Sequence, residues 1–297
     1  MPIDIAFSLN RSLVKPLTVV INSILRNTER NTARSVARQD GGEPLRFNVV
    51  VPTGDRTFFE EALLSPFGAD IEQGDAIFRV QEYEPPEYLK DYLDNKFKES
   101  NPQRRLSRYM QYGRLFLPSI FPDMRTVIYL DCDTLVIGDV RSLYAQGEKL
   151  TPSRYLGAVP HFFPAVLYFS NPFKLLGDLR KFESTFNSGV LLTDLTYWTE
   201  ATYDLLKHYL ALDAENNYRL FHLGDETVFN LMFKDAYIQL DGRWNACGYG
   251  QGHLIAGMMR RPLEQMSIIH WSGGHHKPWE SDRVIYSDLW RQYQPAV

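Results

Sequence analysis

Thr126-Val-Ile-Tyr-Leu-Asp131-Cys-Asp133-Thr-Leu-Val136 is the stretch that decides how this chain folds. Residues 126–131 are a near-continuous apolar run ending in acid. Such a run suits a central strand, buried on both faces, that reaches the carboxyl edge of a parallel sheet. Ligands of open α/β sheets bind outside that edge. Two carboxylates one residue apart can turn together toward one hard cation. Aspartate oxygens suit Mg²⁺ or Mn²⁺, which are commonly shared with substrate phosphates. A bare Asp-x-Asp is more often a surface cap, but the apolar lead-in and the trailing Thr134-Leu-Val136 set this pair at a sheet edge.

The flanking sequence carries the same α/β rhythm. Residues 3–8 and Phe47-Asn-Val-Val-Val-Pro52 read as buried strands, the second stopped by Pro52 and Gly54. Between them, Leu17, Val20, Ile21, Ile24 and Leu25 form one apolar face of a helix over 16–27, with Pro16 in its first turn. Residues 28–44 are polar and contain Gly41-Gly42, which predicts a loop. A helix over 56–68 and a strand over 76–81 continue the alternation. Residues 84–108 are rich in charge and read as a solvated surface segment. Helices are expected over 107–117, 198–212 and 225–234, and a strand over 189–195. The fold class is α/β, with a mostly parallel central sheet flanked by helices.

Composition limits the function classes. The chain has 297 residues, 44% of them hydrophobic, enough for a sizeable core without disulfides. Lys and Arg number 32 against 36 Asp and Glu, a net charge of −4 that argues against a nucleic-acid partner. Two cysteines, Cys132 and Cys247, make neither a disulfide framework nor a four-cysteine zinc site. Both are expected to be buried and inert. The apolar stretch Leu17–Leu25 is interrupted by Asn22 and Ser23 and is too short to span a membrane. The first residues lack a basic region followed by an apolar signal core, so no secretion signal is expected. The last residues lack a basic cluster, so no strong membrane anchor is expected. The expectation is a cytoplasmic protein, with peripheral attachment to a membrane as the alternative.

A second chemical feature lies downstream, in Ile268-Ile-His270-Trp-Ser-Gly273-Gly-His-His-Lys277-Pro-Trp279. His270 could complete a metal site, the backbone near Gly273 could approach a phosphate closely, and Lys277 could bring positive charge to a leaving diphosphate. His275 and His276 read as surface residues. Taken in order, Asp131-Cys-Asp133, Phe186-Asn-Ser-Gly-Val-Leu-Leu192, Gly224-Asp-Glu-Thr-Val-Phe-Asn230 and His270…Gly273…Lys277-Pro-Trp279 resemble glycosyltransferase family 8. The resemblance runs from residue 3 to about residue 279.

That resemblance implies a GT-A fold, a UDP-sugar donor, dependence on Mn²⁺ (or Mg²⁺) and retention of anomeric configuration. It implies one catalytic domain over 1–280, with a nucleotide-binding half (1–135), a donor-sugar and acceptor half (136–280), and a C-terminal extension over 281–297. By position, Asp131, Asp133 and His270 resemble the metal ligands. Lys277 and Gly273 resemble the diphosphate contacts. Arg114, Asn187 and Ser188 resemble the donor-sugar site, and Asp225 and Glu226 match the motif beside the reacting carbon. Ala6, Ser8 and Asn10 would face the uridine, with Cys132 inside the same donor-binding set. His161 falls where an acceptor-binding Asp occurs in some members. Leu13 stands where a base-stacking Tyr is common, and Glu226 where Gln is usual. Arg114, Asp225 and Glu226 form the expected catalytic group. The sugar is expected to be glucose or galactose, and the acceptor a glycan, a lipid-linked saccharide or a protein. Phe162, Phe163, Tyr168, Phe169 and Phe173 read equally as acceptor-pocket or packing aromatics.

Two other readings compete. A sugar-phosphate nucleotidyltransferase would need a glycine-rich phosphate loop after the first strand, where this chain has Ser8-Leu-Asn-Arg-Ser12. A non-catalytic nucleotide-sugar-binding module would not need the metal pair together with the donor-sugar residues. Oligomeric state is not readable from the sequence.

Overall fold

The apolar runs assemble into one seven-stranded sheet, ordered β3-β2-β1-β4-β7-β6-β8. The strands are β1 (Ile3–Ser8), β2 (Leu45–Pro52), β3 (Ala76–Tyr83), β4 (Thr126–Leu130), β6 (Leu156–His161), β7 (Thr185–Asp194) and β8 (Tyr237–Gln239). The computed structural model describes residues 2–32, 43–161, 164–274 and 276–295. Six of the seven strands run one way. β7 alone is reversed, antiparallel to both β4 and β6. The sheet is therefore mostly parallel, as expected. The reversal matters because the start of β7 arrives at the same edge where β1 and β4 end.

Helices cover both faces because nearly every β1 and β4 side chain is apolar and buried. α1 (Val14–Thr32) lays Leu17, Val20, Ile21 and Ile24 on one face, all fully buried. It is longer than its apolar periodicity predicts, and the remainder of the expected loop, residues 33–42, lies outside the described residues. α2 (Arg56–Glu72) buries Phe59, Leu63 and Phe67.

The charged stretch 84–108 is largely helical, with much of it exposed as expected of a surface segment. It forms α3 (Glu87–Phe97) and most of α4 (Pro102–Gly113). Asn101 caps α4 by accepting from the Gln103 and Arg104 amides, and Pro102 fits its first position. The charges hide the amphipathic pattern, since Lys96 is drawn inward to Asp213 (2.6 Å), which is fully buried. α4 is one wall of the cleft described below.

A second, two-stranded sheet pairs β5 (Thr134–Val136) with β9 (Ile268–His270), Thr134 opposite His270. This pairing joins two motifs that lie far apart in sequence. Trp271 N–H donates to the Asp133 carbonyl at 2.9 Å, closing the corner. Residues 281–295 pack against α1. Val284, Trp290 and Tyr293 join Val19, Leu135 and Trp271 in one apolar cluster, and Asn22 and Arg26 donate to the Tyr293 and Gln292 carbonyls.

Candidate active site

The carboxyl edge of the sheet opens into two adjoining hollows, of about 210 and 550 Å³. They share Gln111, Arg114, Asp131, Asp133 and Lys277. The smaller also takes in Ser8, Leu9, Asn10, Leu13, Cys132 and Trp279, and the larger Asn187, Asp225, Glu226, His161 and Tyr168. Of the donor-site residues that the resemblance implies, Ala6 lies in the core rather than on these walls.

At the junction, ligand atoms of Asp131, Asp133 and His270 all lie within 4.8 Å of one another. Each is fixed by backbone: Asp131 N–H donates to the Gly189 carbonyl at 2.8 Å, and His270 N–H to Ala246 O at 2.9 Å. Two carboxylates and an imidazole suit a divalent ion of the Mn²⁺ or Mg²⁺ kind. The space among them depends on Gly189. A Cβ there would stand 2.3 Å from His270 Cε1 and 2.7 Å from Asp131 Oδ2. The residues present therefore fit such an ion.

Positive charge is held against these acids. Arg114, 5% exposed, donates to Asp131 Oδ1 (2.8 Å) and the Ser188 carbonyl (2.6 Å), stands 3.6 Å from Asp225, and lies over the Tyr129 ring. Lys277 Nζ donates to Asp133 Oδ2 (2.6 Å) and to the Trp271 and Gly273 carbonyls. Burial alone would raise the Asp133 carboxyl, but Lys277 and His270 reverse that and hold it well below the ordinary range. Gly273 has φ +111 and its Cβ position is blocked by Gln251, so no other residue turns the chain there without strain.

On the wall of the larger hollow, Asp225 and Glu226 open the helix Gly224–Phe233. Burial pushes the Asp225 carboxyl up, against the pull of Arg114. Glu226 accepts from Tyr168 Oη (2.8 Å) and Asn187 Nδ2 (2.7 Å). These bonds favour its charged form, yet burial outweighs them and pushes it up to about 7. His161 ends β6 on the same wall, its ring lowered by burial.

Other expected residues are placed less directly. Asn10 is buried. Its amide accepts from Ser12 and donates to Ser107 Oγ and Gln103 O, so it caps the turn Arg11–Leu13 and ties β1 to α4. Ser8 Oγ donates to Met110 O. Of the aromatic set, Tyr168 faces the cleft, Phe169 packs on Phe221 and Phe173 is exposed, while Phe162 and Phe163 lie outside the described residues, as does His275. Burial raises the Cys132 thiol well above its usual value and Cys247 to about 11, which keeps both inert.

Sequence reasoning missed four residues. Gly189 makes room for the acids. Asn245 meets the His270 ring. Asn230 holds the Phe186 N–H and C=O with one side-chain amide, as a neighbouring strand would. Trp279 faces the smaller hollow beside Leu13. Gly189, Asn230 and Trp279 stand inside the motifs quoted above, with no role read for them there, and Asn245 carried no local signal.

The sequence matches the family described as Glycosyl transferase family 8 over residues 4–283. Probable galacturonosyltransferase-like 9 of Arabidopsis thaliana is 31% identical over 207 residues, covering 65% of this chain and 52% of the relative. The chain spans about half the length of several curated relatives it matches. The crystal structure of the glycosyltransferase GlyE of Streptococcus pneumoniae TIGR4 matches with a TM-score of 0.65 and 19% identity, over 99% of this chain and 61% of that one. The galactosyltransferase LgtC, solved in complex with donor and acceptor sugar analogues, matches with a TM-score of 0.65 and 19% identity, over 98% and 95%. These likenesses carry the GT-A fold.

Proposed function

Because this chain belongs to glycosyltransferase family 8, we propose that it moves a hexose from a UDP-sugar to a hydroxyl of a glycan, a lipid-linked saccharide or a protein, with retention and with Mn²⁺ as its resident ion. One observation carries this reading. The two hollows meet at a single junction where Asp131, Asp133, His270, Arg114 and Lys277 converge. A nucleoside occupies the smaller hollow and the sugar the larger, so the diphosphate between them lies at the junction. The relatives named galacturonosyltransferase-like favour a second donor, a UDP-hexuronate, which would share the same cleft. Residues 1–280 would form the single catalytic domain, with 281–297 as a C-terminal extension whose Val284, Trp290 and Tyr293 pack back on it.

Asp131, Asp133 and His270 would hold the ion, which supplies positive charge for the departing diphosphate. Lys277, fixed by two carbonyls, adds charge on the same side. Arg114 keeps Asp131 in place and orients the sugar. In the route we favour, the bond from C1 to the diphosphate oxygen breaks and the acceptor oxygen bonds to C1 on the same face. The acceptor proton passes to the released phosphate oxygen, so no enzyme nucleophile is needed. A double displacement would use Glu226, with Asp225 second. Both Glu226 oxygens are already engaged by Tyr168 and Asn187, which favours the first route.

The test is UDP release from UDP-glucose, UDP-galactose and UDP-galacturonate without acceptor, with and without Mn²⁺. Hydrolysis of one donor, abolished by chelation, is expected. Absence of both hydrolysis and UDP binding would overturn the assignment, and binding without product on any acceptor would favour the non-catalytic reading. The nucleotidyltransferase reading lacks its phosphate loop, since Asn10 caps a short turn in that place.

A pH effect on stability follows from Glu226. Its folded value, about 7, lies above the ordinary 4.5. Between these values the folded protein binds more protons than the unfolded chain, so stability falls as pH rises. The metal-free protein should lose about 3 kcal/mol across that window, and Glu226→Gln should flatten the slope. Urea denaturation at about pH 5 and about pH 8 measures it.

A further inference from the structure

A line of side-chain amides runs beneath the junction and joins its two halves. Asn245 is buried at the end of the turn Gly242–Asn245. Its Oδ1 lies 2.9 Å from His270 Nδ1, and its Nδ2 donates to Asn187 Oδ1 at 3.0 Å. Asn187 Nδ2 then donates to Glu226 Oε2 at 2.7 Å. The orientation of these amides is anchored by backbone. Gly189 N–H also donates to Asn187 Oδ1, at 3.1 Å, and a backbone N–H can only donate. Asn187 must therefore point its oxygen toward Asn245 and its nitrogen toward Glu226. Asn245 must in turn offer its oxygen to the imidazole. The only complement is a proton on His270 Nδ1, which leaves Nε2, 3.2 Å from Asp133 Oδ1, as the ring atom facing the acids.

The geometry points to Asn245 as a positioning residue. It sets which His270 nitrogen faces the metal site, and through Asn187 it makes that histidine and the sugar-side Glu226 one hydrogen-bonded unit. The proposal rests on the metal-site reading above. The backbone supports it: Ala246 N–H donates to Ile268 O and His270 N–H to Ala246 O, so Asn245 and His270 ride on one ladder. No local motif marks Asn245, which explains why the sequence does not announce it.

Three proteins test this. In wild type with ¹⁵N-labelled histidine, His270 should show a slowly exchanging Nδ1–H, with or without Mg²⁺. Asn245→Ala should lose that protection, and Mn²⁺ affinity measured by electron paramagnetic resonance should fall about 10–100-fold. Asn245→Asp keeps an acceptor for Nδ1–H but sets an oxygen against Asn187 Oδ1. It should hold Mn²⁺ within about threefold of wild type while donor hydrolysis falls at least about tenfold, a split that a merely structural role would not give. An unprotonated Nδ1 in wild type would overturn the proposal. So would an Asn245→Ala protein with unchanged exchange and unchanged Mn²⁺ affinity, or an Asn245→Asp protein that loses both functions together. The Nδ1–H measurement needs neither donor nor turnover, so it stands apart from any failure of the transferase reading.

Discussion

Gly189→Ala should abolish Mn²⁺-dependent UDP release while leaving a folded protein. The added methyl has no room: it would sit 2.3 Å from His270 Cε1, 2.7 Å from Asp131 Oδ2 and 3.0 Å from His270 Nε2. Gly189 lies inside β7, where alanine is conformationally acceptable, so the cost falls on these two side chains rather than on the backbone. One of them must move by more than half an ångström, and a metal set tolerates little displacement. A rate loss of about a thousandfold is expected, equivalent to about 4 kcal/mol of transition-state stabilisation. Overpacking should cost about 1–3 kcal/mol of stability. Initial rates, Mn²⁺ titration and a thermal melt separate the two effects. Activity within tenfold of wild type would show that the ion does not sit where these residues converge.

Arg114→Leu should be the most destabilising single change in the cleft. The guanidinium bridges Asp131 and Asp225, donates to the Ser188 and Gln111 carbonyls and covers Tyr129. Leucine keeps the volume but strands two carboxylates beside each other, at a cost of about 3–5 kcal/mol. For a chain of this size that lowers the melting temperature by about 10 °C. Lysine should rescue little, because one ammonium cannot replace a fork of five donors. Adding Asp225→Asn to Arg114→Leu should recover part of the loss, since one stranded charge is removed. An additive double variant would mean that the ion pair contributes nothing.

The strands were legible because parallel central strands are apolar on both faces, and their ends are where acids must sit. Asp131 and Asp133 followed from that alone, and their meeting with His270 required the β5–β9 pairing. The residues that prepare the site were harder to see. β7 begins at Thr185, four residues before its apolar run, because Thr185 and Phe186 pair with His161 and Pro160 of β6 while Asn230 takes the Phe186 N–H and C=O. Asn187 and Ser188 look like turn residues and are strand residues. In α3 the Lys96 ammonium is held by Asp213, more than a hundred residues away, so its place against the core is not visible locally. Asn245 matters only through a contact no local pattern encodes.

The reversed strand gives the cleft two walls of unequal stiffness. Asn187, Ser188 and Gly189 lead directly into Val190–Asp194, which pair with β4, and residues 191–193 of that run also pair with β6. The opposite wall, at Gly248–Gly252 and Gly273, is built of loops rather than a ladder, joined by bonds such as Gly250 N–H to Ser272 O, His276 N–H to Gly250 O and Lys277 Nζ to Gly273 O. Compliance therefore resides on the C-terminal side. On the proposed function, the start of β7 would be the fixed face of the cleft, and any adjustment to a bound ligand would fall to the glycine-rich loops that face it.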